Sequence, residues 1–169
     1  VGRNVIRDHR NYGTIDLATL IYKSSNVGAS KLALAMDAED VANMYRDVGL
    51  GQDTGSGFPG ERAGMLPFHS RWPDIDRATL SYGYGLSVTT LQLAQAYTVF
   101  ANGGEVKQVS LLRHDDAVPG KPVMSSKTAD ALLLMLESVI KKGGTGTRAS
   151  IPFYRVAGKT GTVHKLSEG

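Results

Sequence analysis

Val156-Ala157-Gly158-Lys159-Thr160-Gly161-Thr162 is the stretch on which the reading of the chain turns, because it admits two incompatible structures. Taken as Gly158-Lys159-Thr160, it looks like the end of a phosphate-binding loop. That loop needs a glycine where Phe153 stands and a helix directly afterwards, and Val163-His164-Lys165 soon gives way to Ser167-Glu168-Gly169. Taken as a strand, from Tyr154 to Val163, the residues make better sense. Gly158 and Gly161 leave room for a ligand backbone, Lys159 supplies a cation, and Thr160 and Thr162 supply hydroxyls. An extended peptide is the natural ligand for such an edge, although a lysine on an edge strand also serves simply to block aggregation.

The other polar cluster of interest, Ser24-Ser25-Asn26, lies near the start of the chain. Leu17, Leu20 and Ile21 fall on one helical face behind the start signals Thr14 and Asp16, and Val27, Ala29, Leu32, Ala33 and Met36 resume the helical period. Ser24-Ser25-Asn26 therefore falls between two helices or at the N-cap of the second, where serine and asparagine are ordinary residues. One end of the chain thus offers hydroxyl and amide groups, and the other a cation and hydroxyls.

Composition limits what these groups can serve. With 169 residues and 41% hydrophobic content, the chain is sized for one globular unit or for part of a larger domain. The net charge of +3 arises from 19 basic and 16 acidic residues that are well mixed, with no basic arm or aromatic motif for nucleic acid. The absence of cysteine removes disulfides and thiolate chemistry. His9, His69, His114 and His164 show no metal-ligand spacing, and neither a cofactor nor a metal is expected. Asp74/Asp76 and Asp115/Asp116 sit in turn-like sequence. No apolar run is long enough to cross a bilayer, and the chain reads as excised at both ends, so any targeting segment is expected outside it.

Between the two clusters the pattern predicts a third helix over Glu39–Val48 ending at Gly49, then a long irregular connection to Asp76. Regular structure is expected again at Arg77–Tyr82. A helix capped by Thr89 or Thr90 follows, burying Leu93, Ala96, Tyr97 and Phe100 and ending at Asn102-Gly103-Gly104. Val109–Arg113 reads as a strand, and Asp115–Pro122 as a turn-rich excursion. Ser126 opens a helix with Ala129, Leu132, Leu133, Leu136, Val139 and Ile140 on one face, closed by Lys141, Lys142 and Gly143. Gly143–Thr147 is a loop.

Taken together and in this order, the two clusters fit the combination of Ser-x-Asn and Lys-Thr-Gly motifs found in penicillin-binding proteins and class A β-lactamases. The likeness extends to Tyr22-Lys23-Ser24-Ser25-Asn26-Val27-Gly28, Val48-Gly49-Leu50-Gly51, Phe58-Pro59-Gly60-Glu61-Arg62, Leu80–Thr89 and Val156–Thr162. Through essentially its whole length the chain resembles the transpeptidase domain of class B penicillin-binding proteins, most closely the septal, cell-division type of Gram-negative bacteria. The implied fold is α/β of the α+β kind, with a helical region packed beside an antiparallel sheet that is partial in this chain. A mainly helical region over 14–102, with a long loop at 49–76, and a strand–helix–strand region over 105–169 would belong to one transpeptidase domain.

The resemblance implies a serine D,D-transpeptidase that cross-links peptidoglycan stem peptides ending in D-Ala-D-Ala and is acylated by β-lactam antibiotics. Its full-length relatives carry a single membrane anchor, work on the periplasmic face of the inner membrane and meet division proteins. By the same resemblance Ser24 relays protons and Asn26 binds the substrate's peptide carbonyl. Lys159, Thr160 and Thr162 hold the terminal carboxylate, with the Thr162 N–H forming half of an oxyanion hole and Gly161 lining the subsite. Tyr82 and Tyr84 form an aromatic wall or pack in the core, and Gly143–Thr147 borders the cleft.

The family nucleophile, the serine of a Ser-x-x-Lys motif, precedes Ser-x-Asn, and no serine stands before Ser24. Ser138-Val139-Ile140-Lys141 fits that pattern only literally, at the end of a helix, so the nucleophile is expected outside this chain and the fragment alone is expected to be inactive. A β-lactamase is the rival enzyme, but its Glu-x-x-Leu-Asn signature is missing: Glu39 and Asn43 have the spacing, with Ala42 at the leucine position. A non-catalytic β-lactam sensor or binding module of the same fold is the remaining alternative.

Overall fold

Asp16 starts the first helix, its carboxylate accepting a hydrogen bond from the Thr19 N–H at 2.7 Å and satisfying an amide that has no partner within the helix. Hydrogen bonding by the Thr19 side chain, together with its N–H, holds the Asp16 carboxyl below its ordinary range. In the computed structural model, which describes residues 1–67 and 72–162, this helix, α1, spans Leu17–Lys23. Five more follow: α2 (Asn26–Ala35), α3 (Ala38–Asp47), α4 (Asp74–Leu80), α5 (Thr90–Ala101) and α6 (Ser126–Ile140). Strands β1 (Glu105–Val106) and β2 (Lys121–Pro122) form a two-stranded antiparallel sheet pairing Glu105 with Pro122 and Val106 with Lys121. A 3-10 turn covers Thr147–Ala149.

The chain divides into two compact units. One comprises residues 1–11 and 26–131, and the other residues 12–25 and 132–169. Helix α6 supplies its first residues to the former and the rest to the latter.

In the larger unit, α2 packs on α4 through small side chains. Ser30, Ala33 and Ala78 are all buried, and the Ser30 hydroxyl lies 2.8 Å from the Asn26 carbonyl and 3.2 Å from that of Ala78. Small residues at such a crossing let two backbones approach closely. Tyr45 of α3 donates its hydroxyl to the Leu80 carbonyl at 2.9 Å, and burial raises its pKa. Helix α3 ends as the sequence predicts. Gly49, at φ +94°, donates its N–H to the Arg46 carbonyl, and the Leu50 N–H reaches the Tyr45 carbonyl.

Four expectations are corrected. Helix α4 begins at Asp74, so Asp74 and Asp76 occupy its first turn, where acidic side chains favour the positive end of the helix dipole. Helix α5 is capped by Thr89 in a reciprocal box with Gln92, but it buries Gln92, Gln95 and Val99, while Leu93 and Tyr97 are exposed. The cause is hydrogen bonding. The fully buried Gln92 amide donates to the carbonyls of Gln52 and Ala63, each at 2.7 Å, and Gln95 donates to that of Lys107 at 2.8 Å. Hydrophobic periodicity has no means of seeing that demand.

Val109–Arg113 is not a strand. The Val109 N–H bonds the Thr54 carbonyl, and the Ser110 hydroxyl folds the backbone by accepting from Leu112 N–H at 3.1 Å. Nor do residues 154–162 form a strand. The Gly158 N–H bonds the Leu136 carbonyl of α6, and no ladder partner lies alongside among the described residues. Val163, the last residue of that expected strand, lies outside the described residues, as do His69 and His164.

Among the described residues, the irregular connection expected from Gly49 to Asp76 is present through residue 67, and α4 then takes its last positions from Asp74. Glu61 ties part of it together, accepting from the Thr54 N–H (2.9 Å), the Thr54 hydroxyl (2.5 Å) and the Ser56 hydroxyl (2.6 Å). These donors, Ser56 foremost, lower its pKa.

Candidate active site

Helix α1 ends at Ser24 in the left-handed conformation (φ 57°, ψ 51°). Its N–H reaches the Ile21 carbonyl at 3.2 Å, and the Ser25 N–H reaches that of Leu20 at 3.0 Å. This closure ordinarily takes glycine, because a Cβ is strained there. Ser25 is buried beside it.

The Ser24 hydroxyl accepts a hydrogen bond from Lys159 Nζ at 2.6 Å, across 135 residues of sequence. The same ammonium lies 3.1 Å from the Thr160 carbonyl and 3.5 Å from its hydroxyl. The Thr160 hydroxyl is in turn 2.9 Å from that of Thr145. Ser24, Lys159, Thr160 and Thr145 thus form a continuous polar chain within the smaller unit. Half-burial lowers the Lys159 pKa from its ordinary value of 10.5, because desolvation disfavours the charged amine. An amine that gives up its proton more readily, in contact with a hydroxyl, is equipped to pass protons and to attract an anion.

The C-terminal end of α6 organises this region. After Ile140 the backbone turns through Lys141, Lys142 and Gly143, with Gly144 N–H bonded to the Lys141 carbonyl and Gly146 N–H to that of Val139, each at 2.9 Å. A side chain at Gly144 would collide with the Val139 carbonyl. Gly161 has open space where a Cβ would stand, and Thr160, Gly161 and Thr162 are exposed.

Ser24, Lys159 and Thr160 are therefore brought together, and Thr145 makes specific the expected border at Gly143–Thr147. Thr145 was hidden among unremarkable glycines, and only its place in a Gly-Gly-Thr-Gly loop hinted at it. Ser138 is excluded as a free nucleophile by geometry: it lies inside α6, and its hydroxyl donates to the Met135 carbonyl at 2.6 Å. Asn26, Tyr82 and Tyr84 belong to the larger unit. Asn26 is the first residue of α2. Tyr82, half-buried, and Tyr84, exposed, meet edge to face with centroids 5.7 Å apart. Among the described residues no group of three or more His, Asp or Glu could hold a metal ion.

The model of the penicillin binding protein transpeptidase domain matches residues 2–169. The peptidoglycan D,D-transpeptidase FtsI of Escherichia coli K12 is 44% identical over 161 residues, covering 95% of this chain and 27% of that protein. The probable peptidoglycan D,D-transpeptidase PenA of Neisseria flavescens is 41% identical over 169 residues, covering 100% of this chain and 42% of that protein. The apo TP domain of Burkholderia pseudomallei penicillin-binding protein 3 superposes with a TM-score of 0.90 at 45% identity, covering 97% of this chain and 50% of that one. A Burkholderia ambifaria structure described as a peptidoglycan glycosyltransferase gives the same TM-score at 44% identity, covering 95% of this chain and 51% of that one. The chain thus spans less than half of these curated relatives and about half of the solved chains. The expected fold class is borne out, with the sheet represented by β1 and β2.

Proposed function

This chain belongs to the penicillin-binding protein transpeptidase family, and from that premise we propose that it is part of a peptidoglycan D,D-transpeptidase working through an acyl-serine. The 2.6 Å contact between Lys159 Nζ and Ser24 Oγ carries the reading, because it joins the two motifs on which the chemistry depends. In the proposed reaction a serine supplied from outside residues 1–169 attacks the carbonyl of the penultimate D-Ala. Its proton passes to the lysine of its own Ser-x-x-Lys motif. Collapse breaks the C–N bond, and terminal D-Ala leaves as the amine, protonated through Ser24. An acceptor amine then attacks the acyl-serine, which forms the cross-link and frees the serine.

Lys159 supplies positive potential for the terminal carboxylate, Thr160 and Thr162 hydrogen-bond it, and Gly161 leaves space beside it. The Thr162 N–H stabilises the oxyanion. By the family pattern Asn26 takes the substrate's peptide carbonyl, and Tyr84, with the half-buried Tyr82 against it, offers an aromatic surface to ligand.

The test is labelling by a fluorescent penicillin. The protein that carries this chain should retain the label stably, whereas residues 1–169 alone should take none. Rapid turnover of the drug would identify a β-lactamase, and absence of any label a non-catalytic module.

The names of the Escherichia coli and Neisseria relatives support a role in cell-wall synthesis, and the name FtsI supports septal synthesis among division proteins. No helix among the described residues is long and apolar enough to cross a membrane; anchoring at the periplasmic face of the inner membrane is proposed on the family resemblance, through segments other than these. Depletion of the protein should give filamentous cells. Lysis without filamentation would point to elongation instead.

A further inference from the structure

We propose that Tyr22 is a positioning residue: with Gly143 it forms a latch that holds the end of α1 so that the Ser24 hydroxyl faces Lys159. The inference rests on the transpeptidase reading and deepens it. Tyr22 and Lys23 form the last turn of α1, directly before the strained Ser24. The Tyr22 hydroxyl donates to the Lys142 carbonyl at 3.1 Å, and Lys23 Nζ donates to that of Gly143 at 3.1 Å. That same ammonium sits 4.3 Å over the Tyr22 ring. The two hydrogen bonds bind the helix end to the loop that follows α6, and the ring contact holds Lys23 against Tyr22.

The loop side of the latch is equally specific. Gly143 is at φ +87°, and a Cβ there would run into the Tyr22 hydroxyl, so the two residues fit only because Gly143 has no side chain. Two residues further on, Thr145 contacts Thr160. Tyr22, the 142–145 loop, Thr160, Lys159 and Ser24 therefore close a ring of contacts around the Lys159 amine. Helix α1 has no fully buried residue to fix its C-terminal end by packing. Polar contacts made one and two residues before Ser24 are what set the direction of its hydroxyl. A change of about 1 Å in such a placement is enough to impair proton transfer.

The test compares wild type, Tyr22→Phe, Gly143→Ala and the double variant in the protein that carries this chain at its natural length. Acylation by a fluorescent penicillin is resolved into a non-covalent dissociation constant and an acylation rate constant, alongside thermal melting. Tyr22→Phe should lower the acylation rate constant about fivefold, the effect of one hydrogen bond, and leave the dissociation constant unchanged. Gly143→Ala should lower it further. The double variant should be no worse than Gly143→Ala, because the hydroxyl that collides with the new methyl is gone.

An unchanged acylation rate constant in Tyr22→Phe would overturn the latch, as would a loss that merely follows the unfolded fraction or two losses that multiply. The Lys159 amine is also titrated by side-chain NMR. Release of Ser24 removes an acceptor from the ammonium and should lower its pKa further, and an unmoved titration counts against the latch. If wild type takes no label, the acyl-serine reading fails, and the titration alone decides whether Tyr22 positions Ser24.

Discussion

Helix α1 closes at Ser24 and helix α3 at Gly49, each through a left-handed residue and the same pair of backbone bonds. Ser24 and Ser25 bond Ile21 and Leu20, and Gly49 and Leu50 bond Arg46 and Tyr45. At the end of α3 the residue is glycine, which meets no Cβ penalty, and its surroundings are structural: an added Cβ would stand 3.0 Å from the Gln95 amide oxygen. At the end of α1 a serine accepts a strain of about 1 kcal/mol that glycine would avoid. What serine gains there is a hydroxyl held 2.6 Å from Lys159. The same turn is thus a stop signal in one place and a mount for a reactive group in the other.

The sharpest way to break this comparison is Ser24→Ala. It should lower acylation by a penicillin about 100-fold, the lower range for losing a positioned proton-transfer group, while the melting temperature barely moves. A large loss of stability with little loss of acylation would make Ser24 a structural cap. Gly49→Ala should do the reverse, costing about 1–2 kcal/mol in urea unfolding through its positive φ and the Gln95 contact, with acylation of the folded protein unchanged.

Ser24→Gly sharpens the contrast within one position. It should lower acylation as far as Ser24→Ala does, yet gain up to about 1 kcal/mol of stability by relieving the left-handed strain, an amount reduced by the lost Lys159 contact. A destabilised glycine variant would show that the hydroxyl's bond outweighs the strain.

The smallest effect concerns pH. Burial lowers the folded-state pKa of Lys159 below its unfolded value near 10.5, so the folded protein releases this proton first. Between the two values the unfolded state binds more protons, and this residue's contribution to stability therefore rises with pH. Acylation should fall in the same window as the charge that attracts the carboxylate disappears. A pH profile of the acylation rate constant should show an alkaline limb below 10.5, displaced upward in Lys159→Arg because guanidinium keeps its charge. An alkaline limb that stays in place would assign it to another group.

The sequence disclosed features set by local chemistry and by motif. The caps Asp16, Thr89 and Gly49 were legible, as were the helices α1, α2, α3 and α6 and the meeting of Ser24 with Lys159. What stayed hidden depended on distant partners. The buried face of α5 is chosen by carbonyls at Gln52, Ala63 and Lys107 that need the Gln92 and Gln95 amides, so an apolar stripe at Leu93 and Tyr97 pointed the wrong way. A strand was expected over 154–163 from its glycines and threonines, but pairing requires a neighbour, and the backbone at Gly158 bonds α6 instead. Tyr22 and Thr145 escaped notice because tyrosine and threonine are common, and their partners lie 120 and 15 residues away.

Gln92 also has a kinetic consequence. Its fully buried amide joins the carbonyls of Gln52 and Ala63 to the cap of α5, and the Met65 and Ser87 backbones bridge beside it. A connection with so little regular structure, fastened through the buried Gln92 amide and tied internally by Glu61, opens as a unit or not at all. The amide protons of Met65, Ser87 and Thr89 should then exchange with deuterium at one shared rate, slower than their irregular backbone suggests. The loop would behave in time like an element of secondary structure, although it has the geometry of none.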